Sequence, residues 1–282
     1  MRNKLFNILL WISGIVILLL VAGILYSLIS QSLPALKHFG LLNFFSSSTW
    51  DSQEGKENYG ALSFIIGSVS IASLALLIAL PFSLSLAFFQ SYTKGRKIEK
   101  LSNTIIDFSA AVPSIIWGIW GFASLRPILD SLQIGDQGYG IICTAMVLAI
   151  MITPFAASYS ALHIKNVPPQ LKESAYALGA TKSDIIWKVN LPYAKRGIVS
   201  AHLAALGKAF GETIIATILI GNANHIPTSL SDTGNAMTSI LITQGGSASD
   251  LKLSALFAIA LFLFIFTACI NTLAKYLIRK VA

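Results

Sequence analysis

Two side chains of opposite charge stand inside an otherwise apolar run in the last third of the chain. Lys208 and Glu212 lie within residues 198–220, a run long enough to cross a bilayer as a helix. A charge near the middle of a bilayer costs roughly 2.5–3.5 kcal/mol on insertion scales, so a partner, water or a function is expected to offset it. Spaced four residues apart on a helix, the two side chains share one face and could pair directly.

Two interpretations of this pair are open. The pair can simply neutralise itself inside a helix bundle. Alternatively, it forms a polar site on a transport path, where the ammonium of Lys208 attracts an anion. The carboxylate of Glu212 would then hold the lysine in place and keep the anion from binding too tightly to be released.

A polar segment, residues 167–197, lies between two apolar runs. Its residues that typically begin and end helices predict two short helices. Pro168 and Pro169 fit the start of the first helix, where the donor that proline lacks would be unpaired anyway. Gly179 fits the left-handed position that ends a helix. The first short helix is therefore expected to end just before Gly179.

The second short helix of this segment is expected to begin at Thr181. Asp184, three residues later, completes a capping box with Thr181. Leu191-Pro192 is expected to stop the helix, because proline cannot continue it. The segment is thus predicted to form a helix, a turn, a helix and a stop, with an apolar and charged surface built to contact another protein.

Composition indicates where these groups are held. Of the 282 residues, 55% are hydrophobic and 11% are charged, whereas roughly a quarter of the residues in a soluble chain are charged. A soluble domain so poor in charge could not cover its surface, so we expect a lipid environment. The net charge of +8 then indicates membrane topology rather than nucleic-acid binding, because the basic residues lie between apolar runs. Two unpaired cysteines inside apolar runs predict no disulfide and no metal site.

The predicted fold is an all-α polytopic membrane protein with about six transmembrane helices. A crossing takes about 20 apolar residues. Six runs qualify, at approximately residues 6–29, 60–90, 105–125, 138–162, 198–220 and 253–277. Pro81, Pro113 and Pro154 lie inside these runs and predict kinks. The first run is longer than the apolar region of a signal peptide, so we expect a retained helix.

The distribution of basic residues sets the expected orientation. Fifteen of the 20 Lys and Arg residues fall on one side of the predicted spans and four on the other. Both termini and the segment 167–197 are therefore expected to be cytoplasmic. The opposite face carries more acids than bases, so an anionic cargo is expected to arrive held by another protein. On that face, residues 30–59 are expected either to include a short interfacial helix or to be a passive connector. Part of residues 221–251 is expected to re-enter the membrane or to cap the pathway.

The polar segment also resembles the EAA loop of type I ABC importer permeases, the MetI-like family. The resemblance rests on Glu173-Ser174-Ala175, Gly179 and Val189-Asn190-Leu191-Pro192 at the family's spacing. The family pattern has alanine where Ser174 stands and usually isoleucine where Val189 stands. The resemblance implies a coupling helix that fits a groove in the ATP-binding subunit. The residues to which it assigns this coupling are Glu173, Ala175, Gly179, Asp184, Leu191 and Pro192.

A second resemblance concerns the charged span. Residues 207–213, Gly-Lys-Ala-Phe-Gly-Glu-Thr, are similar to a motif of the phosphate permease branch that usually reads Gly-Arg-Ala-Leu-Gly-Glu-Thr. Residues 112–121 and the start of the loop before the second span also resemble this branch, in its PstC-type subunit. The resemblance implies a translocation path lined by Lys208, Glu212 and Thr213. Lysine in place of arginine keeps the charge but loses the two-pronged fit to phosphate oxygens.

The resemblance further implies how the chain is organised and what it works with. Residues 1–59 would form an N-terminal transmembrane helix and an extracytoplasmic loop, and residues 60–282 the permease domain with the coupling segment 167–197. Expected partners in the bacterial inner membrane are the lipid bilayer, a homologous PstA-type permease, two PstB-type ATP-binding subunits and a PstS-type phosphate-binding protein. No cofactor is expected on this chain. It lacks the glycine-rich phosphate cradle of an ATPase, so ATP and Mg²⁺ would bind the partner subunits.

Other functions stay open at this point. The same architecture could carry another oxyanion or an organic solute. An ion-gradient carrier would leave the coupling segment unexplained, and the two halves show no evident repeat. An intramembrane enzyme would need a catalytic motif, and neither a zinc motif nor a nucleophile elbow occurs in the sequence. His163 and His202, near the spans, are expected to be packing or interface residues.

Overall fold

The computed structural model describes residues 2–53, 57–92, 104, 106, 109, 111–248 and 250–279. Its helices are α1 (Arg2–Phe39), α2 (Leu41–Ser46), α3 (Leu62–Tyr92), α4 (Ser114–Trp120), α5 (Arg126–Ser131), α6 (Ile141–Lys165), α7 (Pro169–Ala177), α8 (Lys182–Asp184), α9 (Leu191–Phe210), α10 (Ile214–Leu219), α11 (Met237–Gly245) and α12 (Asp250–Arg279). Two wider π-helical turns, Gly121–Leu125 and Ile185–Asn190, join α4 to α5 and α8 to α9. A hairpin of β1 (Trp50–Asp51) and β2 (Asn58–Tyr59) is antiparallel and pairs Trp50 with Tyr59.

Four helical stretches among the described residues are long and apolar enough to cross a membrane. They are Phe6–Phe39, Leu62–Tyr92, Ile141–Lys165 and Asp250–Leu277. The prediction of a helical protein with several membrane-spanning helices is thereby confirmed, and the short hairpin of β1 and β2 is the exception to an all-α chain. A total of six spans and the cytoplasmic placement of both termini stay predictions. Asp107, a charged residue near the start of the predicted third span, lies outside the described residues.

The predicted fifth span is not one uninterrupted helix. Helix α9 begins at Leu191, before the apolar run itself, and ends at Phe210. Gly211 follows, and the chain becomes helical again only at Ile214, in α10. The break therefore lies within the charged motif, residues 207–213.

The helices pack around a central core of small and branched apolar residues. Helices α3 and α6 make the largest helix-to-helix contact, and α9 packs against both α6 and α12. Residues such as Ala75, Leu148 and Ile152 are completely buried there. By contrast, the apolar side chains along most of α1 are exposed, as expected for a helix that faces lipid.

The end of the molecule that carries the hairpin is closed by loops and short helices. Where an interfacial helix is predicted, the chain is helical in the last turns of α1 and in α2, which are separated by Gly40 at φ +76°, and placement at the membrane interface stays a prediction. Gly60 lies so close to the Ser47 carbonyl that a Cβ would approach its oxygen to 2.2 Å. The indole of Trp50 donates a 2.9 Å hydrogen bond to Gln244 of α11. Helix α11 has a buried first turn, and re-entry of this segment into the membrane stays a prediction.

Candidate docking segment and translocation site

The docking segment, residues 167–197, begins with a helix that ends at a glycine. Helix α7 starts with Pro169 in its first turn, and Gly179 follows its end with φ +85°. The Gly179 amide donates to the Tyr176 carbonyl at 2.9 Å, and the Ala180 amide donates to the Ala175 carbonyl at 3.0 Å. These two bonds form a Schellman motif, which satisfies carbonyls that the helix end would leave unpaired. The predicted helix and its glycine stop are confirmed.

The next helix of the docking segment begins with the predicted capping box. The Thr181 hydroxyl oxygen accepts from the Asp184 amide at 3.2 Å, and the Asp184 carboxylate accepts from the Thr181 amide at 3.0 Å. Lys188 places its ammonium nitrogen 2.6 Å from the same carboxylate. The bonds from Lys188 and then Thr181 hold the pKa of Asp184 well below its usual range. The turn therefore carries a negative charge at a helix N-terminus, where the helix dipole favours it.

The expected stop at Leu191-Pro192 is wrong. The chain remains helical from Lys182 through the π-helical turn into α9, which continues to Phe210. In this turn the Leu191 amide donates to the Ile186 carbonyl, five residues back instead of four. Pro192, which has no backbone amide hydrogen to donate, lies just after this wider turn, in the first turn of α9.

One side of the docking segment is anchored and the other is exposed. Ile185 and Asn190 are 0% and 1% exposed, so the π-helical turn is fixed against the bundle. Leu178 is 89% exposed and Trp187 is 63% exposed, and no residue of α7 is buried. Exposed large apolar side chains of this kind are typical of a site that another protein covers. Glu173, at the centre of α7, lies on the exposed surface.

A hydrogen bond connects the docking segment to a second long helix. The Asn190 side-chain amide donates to the hydroxyl of Tyr92, the last residue of α3, at 2.5 Å. The bond joins residues that are 98 positions apart in the chain. A displacement of the π-helical turn would therefore act on α3 as well as on α9.

Lys208 and Glu212 do not form the direct pair that their spacing suggested. The structure describes both side chains, and no ion pair joins them. The ammonium of Lys208 instead lies over the ring of Phe155 in α6, 5.2 Å from its centroid. The reason is local: four-residue spacing brings side chains together only on a continuous helix, and α9 ends at Phe210.

Glu212 and Thr213 lie in the break between α9 and α10. The Glu212 amide bonds to the Ala209 carbonyl at 3.2 Å, and its carbonyl accepts from the Thr238 hydroxyl of α11 at 2.9 Å. The Thr213 carbonyl accepts from the Thr217 hydroxyl at 2.8 Å and so belongs to the first turn of α10. The carboxylate of Glu212 is half-exposed, and Lys208 is exposed. Of the three residues predicted to line the path, Glu212 and Thr213 lie in the break, and Lys208 lies in the last turn of α9 before it.

Sequence reasoning missed two neighbours of the charged motif. Phe155 was an ordinary apolar residue in the pattern, and nothing local marked it as the partner of Lys208. Asn271 of α12 lies so close to Gly207 that a Cβ on Gly207 would approach the Asn271 Oδ1 atom to 2.8 Å. The signal for this second contact was available, because a glycine inside a membrane helix often marks a close approach of a neighbour.

The chain matches a known family of transport proteins over most of its length. Residues 79–282 match the family described as binding-protein-dependent transport system inner membrane component. The chain is 35% identical over 287 aligned positions to the phosphate transport system permease protein PstC of Pasteurella multocida, covering 95% of this chain and 89% of that protein. It is 31% identical to the probable phosphate transport system permease protein PstC of Methanocaldococcus jannaschii, with 89% and 85% of the two chains covered.

The fold has relatives among solved structures. A chain of the MetNI methionine ABC transporter, in an inward-facing conformation, superposes with a TM-score of 0.61 at 19% identity and covers 78% of this chain and 96% of that chain. A chain of a bacterial alginate ABC transporter superposes with a TM-score of 0.57 at 17% identity and covers 96% of this chain and 95% of that chain. With the match across most of its length and an exposed docking segment, the chain belongs to the family of binding-protein-dependent transport system inner membrane components.

Proposed function

We propose that this chain is a permease subunit of an ATP-driven importer of inorganic phosphate. The observation that carries the proposal is the unbroken helical run from Lys182, in the docking segment, to Phe210, two residues beyond Lys208. At about 1.5 Å per residue, this run is roughly 40 Å long. A rigid helix of that length transmits a displacement from one end to the other. An ATPase subunit bound at the docking segment can therefore move Lys208.

Phosphate is the proposed cargo for two reasons. The relatives that match over most of the chain bear the name of phosphate transport permeases. In addition, the ammonium of Lys208 makes no ion pair with Glu212 and is available to an anion. Lysine binds as a point charge with freely rotating donors, so we expect attraction and rapid release rather than a tight two-pronged contact.

The proposed partner subunits supply functions for which this chain has no sequence motif, first of all the binding of ATP. ATP and Mg²⁺ would bind two PstB-type ATPase subunits, one of which would cover Leu178 and Trp187 of the docking segment. A homologous PstA-type permease would complete the path, and a PstS-type binding protein would deliver phosphate to the loops at the hairpin end. We place the docking segment and both termini in the cytoplasm of a bacterial cell, with the helices in its inner membrane, because that side carries most of the basic residues.

The experiment that tests this proposal is uptake of labelled phosphate by vesicles that contain the full set of subunits. Uptake should require ATP and the phosphate-loaded binding protein, and excess sulfate or molybdate should compete poorly. Uptake of sulfate or molybdate in preference to phosphate would assign the same architecture to another oxyanion. Uptake driven by an ion gradient without ATP would overturn the proposal.

A further inference from the structure

A cavity of about 390 Å³ lies between α6, α9 and α12. Its lining residues come from all three helices and are Phe155, Tyr159, His163, Ser200, Ala201, Ala204, Asn271, Ala274 and Lys275. We call it the inner cavity. Phe155 connects this cavity to the charged motif, because it lines the cavity and its ring also contacts the ammonium of Lys208.

Most of the inner cavity's surface is apolar, but four of its lining residues have side chains that can donate hydrogen bonds. They are Tyr159, His163, Asn271 and Lys275, and the lining residues include no Asp or Glu. The Ser200 hydroxyl is already used, since it donates to the Ala274 carbonyl and ties α9 to α12. Donors without a competing carboxylate are the surroundings that a phosphate oxyanion requires.

Two glycines of α9 make room for two of these donors. A Cβ on Gly197 would approach the Cγ atom of His163 to 2.3 Å, and a Cβ on Gly207 would approach the Oδ1 atom of Asn271 to 2.8 Å. Each glycine therefore lets a polar side chain from a neighbouring helix lie against the backbone of α9. Because both side chains also line the inner cavity, its polar character depends on these two positions.

The inner cavity extends from the charged motif towards the docking segment. Ala204 lies one helical turn before Lys208 on α9, so the two residues share a face of that helix. At the other end, His163 lies in the last turn of α6, which leads directly into the docking segment. The inner cavity thus lies between Lys208 and the side of the molecule on which the proposed ATPase subunits bind.

We propose that the inner cavity is a second phosphate-binding site on the transport path. It receives the anion from Lys208 and releases it to the cytoplasm past Lys275. The proposal rests on the function proposed above and adds the route of exit. The bound species is free inorganic phosphate. A phospholipid headgroup offers the same phosphate oxygens, and the test separates the two sources.

The first test measures whether phosphate protects a cysteine placed in the cavity. Ala204→Cys is introduced into a chain that also carries Cys143→Ala and Cys269→Ser, and the full complex is reconstituted in phosphatidylcholine vesicles with the ATPase subunits facing outward. During ATP-driven turnover, phosphate should slow labelling by a negatively charged methanethiosulfonate several-fold. The matched control is Val199→Cys on the same helix, which is exposed but does not line the cavity and should show no protection.

The second test removes the cation at the exit. Lys275→Gln should lower the maximal rate of phosphate uptake several-fold, whereas the KM for the loaded binding protein stays unchanged and Lys275→Arg retains most of the rate. Gly197→Ala should act in the same direction by displacing His163, with Gly14→Ala as the control, since a Cβ there would meet no atom within 4 Å.

The outcomes distinguish this proposal from the one on which it rests. If the unmodified complex takes up no phosphate, the proposed function fails. If uptake is normal but phosphate gives no protection at position 204 and Lys275→Gln transports at the full rate, the inner cavity is not on the route. Protection that appears on adding phosphatidylglycerol, without any dependence on phosphate, would identify a lipid site and overturn the proposal.

Discussion

The ammonium of Lys208 lies 5.2 Å from the centroid of the Phe155 ring. This contact joins α9, which continues the docking segment, to α6, which precedes it. The two helices that flank the docking segment thus meet again at the charged motif. A cation over an aromatic ring is held by about 0.5–2 kcal/mol, enough to position it and little enough to be exchanged for an anion.

Loss of the charge at Lys208 should nearly abolish transport. Lys208→Gln is expected to reduce ATP-driven phosphate uptake roughly tenfold or more, because a hydrogen bond to a charged group contributes about 1.5–3 kcal/mol. Lys208→Arg keeps the charge and should retain uptake. Assembly of the complex, checked by co-purification with the ATPase subunits, should survive both substitutions. Normal uptake by Lys208→Gln would leave Lys208 as a packing residue.

Substitution of Gly179 should weaken the docking of the ATPase subunits. Its φ of +85° is costly for a residue with a Cβ, and more so for a β-branched one, although a Cβ would meet no neighbouring atom. Gly179→Val is therefore expected to reduce co-purification of the ATPase subunits and phosphate uptake, as is Glu173→Ala. Gly246→Ala serves as the control, since Gly246 has helical φ and an equally open environment. Unchanged association with both docking variants would refute the docking assignment.

The stability that the capping box of Thr181 and Asp184 contributes should not change with pH across the physiological range. The pKa of Asp184 is lowered by Lys188 and then by Thr181. A lowered pKa contributes stability that is present above the ordinary carboxyl value of about 3.9 and lost only as the pH falls through the lower folded value.

Asp184→Ala should accordingly lower the midpoint of thermal unfolding of the detergent-purified complex by the same amount at pH 5.5 and pH 8. Ser183→Ala, in the same short helix and exposed, is the control and should have little effect at either pH. If Asp184→Ala lowered the unfolding midpoint at only one of these two pH values, the assignment of a negative charge to Asp184 would be contradicted.

The hydrogen bond between Asn190 and Tyr92 should matter for coupling more than for assembly. Tyr92→Phe removes the hydroxyl that accepts from the Asn190 amide and leaves a buried donor without its partner, at a cost of about 1–3 kcal/mol. We expect the ratio of phosphate transported to ATP hydrolysed to fall. Tyr193→Phe, an exposed tyrosine nearby in the chain, is the control. If Tyr92→Phe and Asn190→Leu have additive effects on this ratio, the bond does not carry the coupling.

Local chemistry could be predicted from the sequence where its partners are close in the chain. The capping box of Thr181 and Asp184 needs only a spacing of three, and the left-handed position at Gly179 needs only a glycine after an amphipathic turn. The long apolar helices followed in the same way from length and composition. None of these features depends on how the helices pack.

Features set by packing could not be predicted in this way. Proline normally ends a helix, and the π-helical turn before Pro192 forms where buried Ile185 and Asn190 fix the backbone to the bundle. The pairing of Lys208 with Glu212 assumed a continuous helix. The helix ends at Phe210, and just beyond it the Glu212 carbonyl accepts a hydrogen bond from Thr238, which lies 26 residues further along the chain. The hint in the sequence was Gly211, directly before Glu212.

The π-helical turn at Ile185–Asn190 has a consequence for the direction in which α9 presents its side chains. A π turn accommodates one residue more than an α-helical turn, and one residue corresponds to about 100° of rotation around the helix axis. Removing one residue from this turn would restore an ordinary helix but rotate Gly197, Gly207 and Lys208 together away from His163, Asn271 and Phe155. The turn thus sets the angle at which α9 presents its side chains, and the direction of Lys208 is fixed some 20 residues before it in the chain.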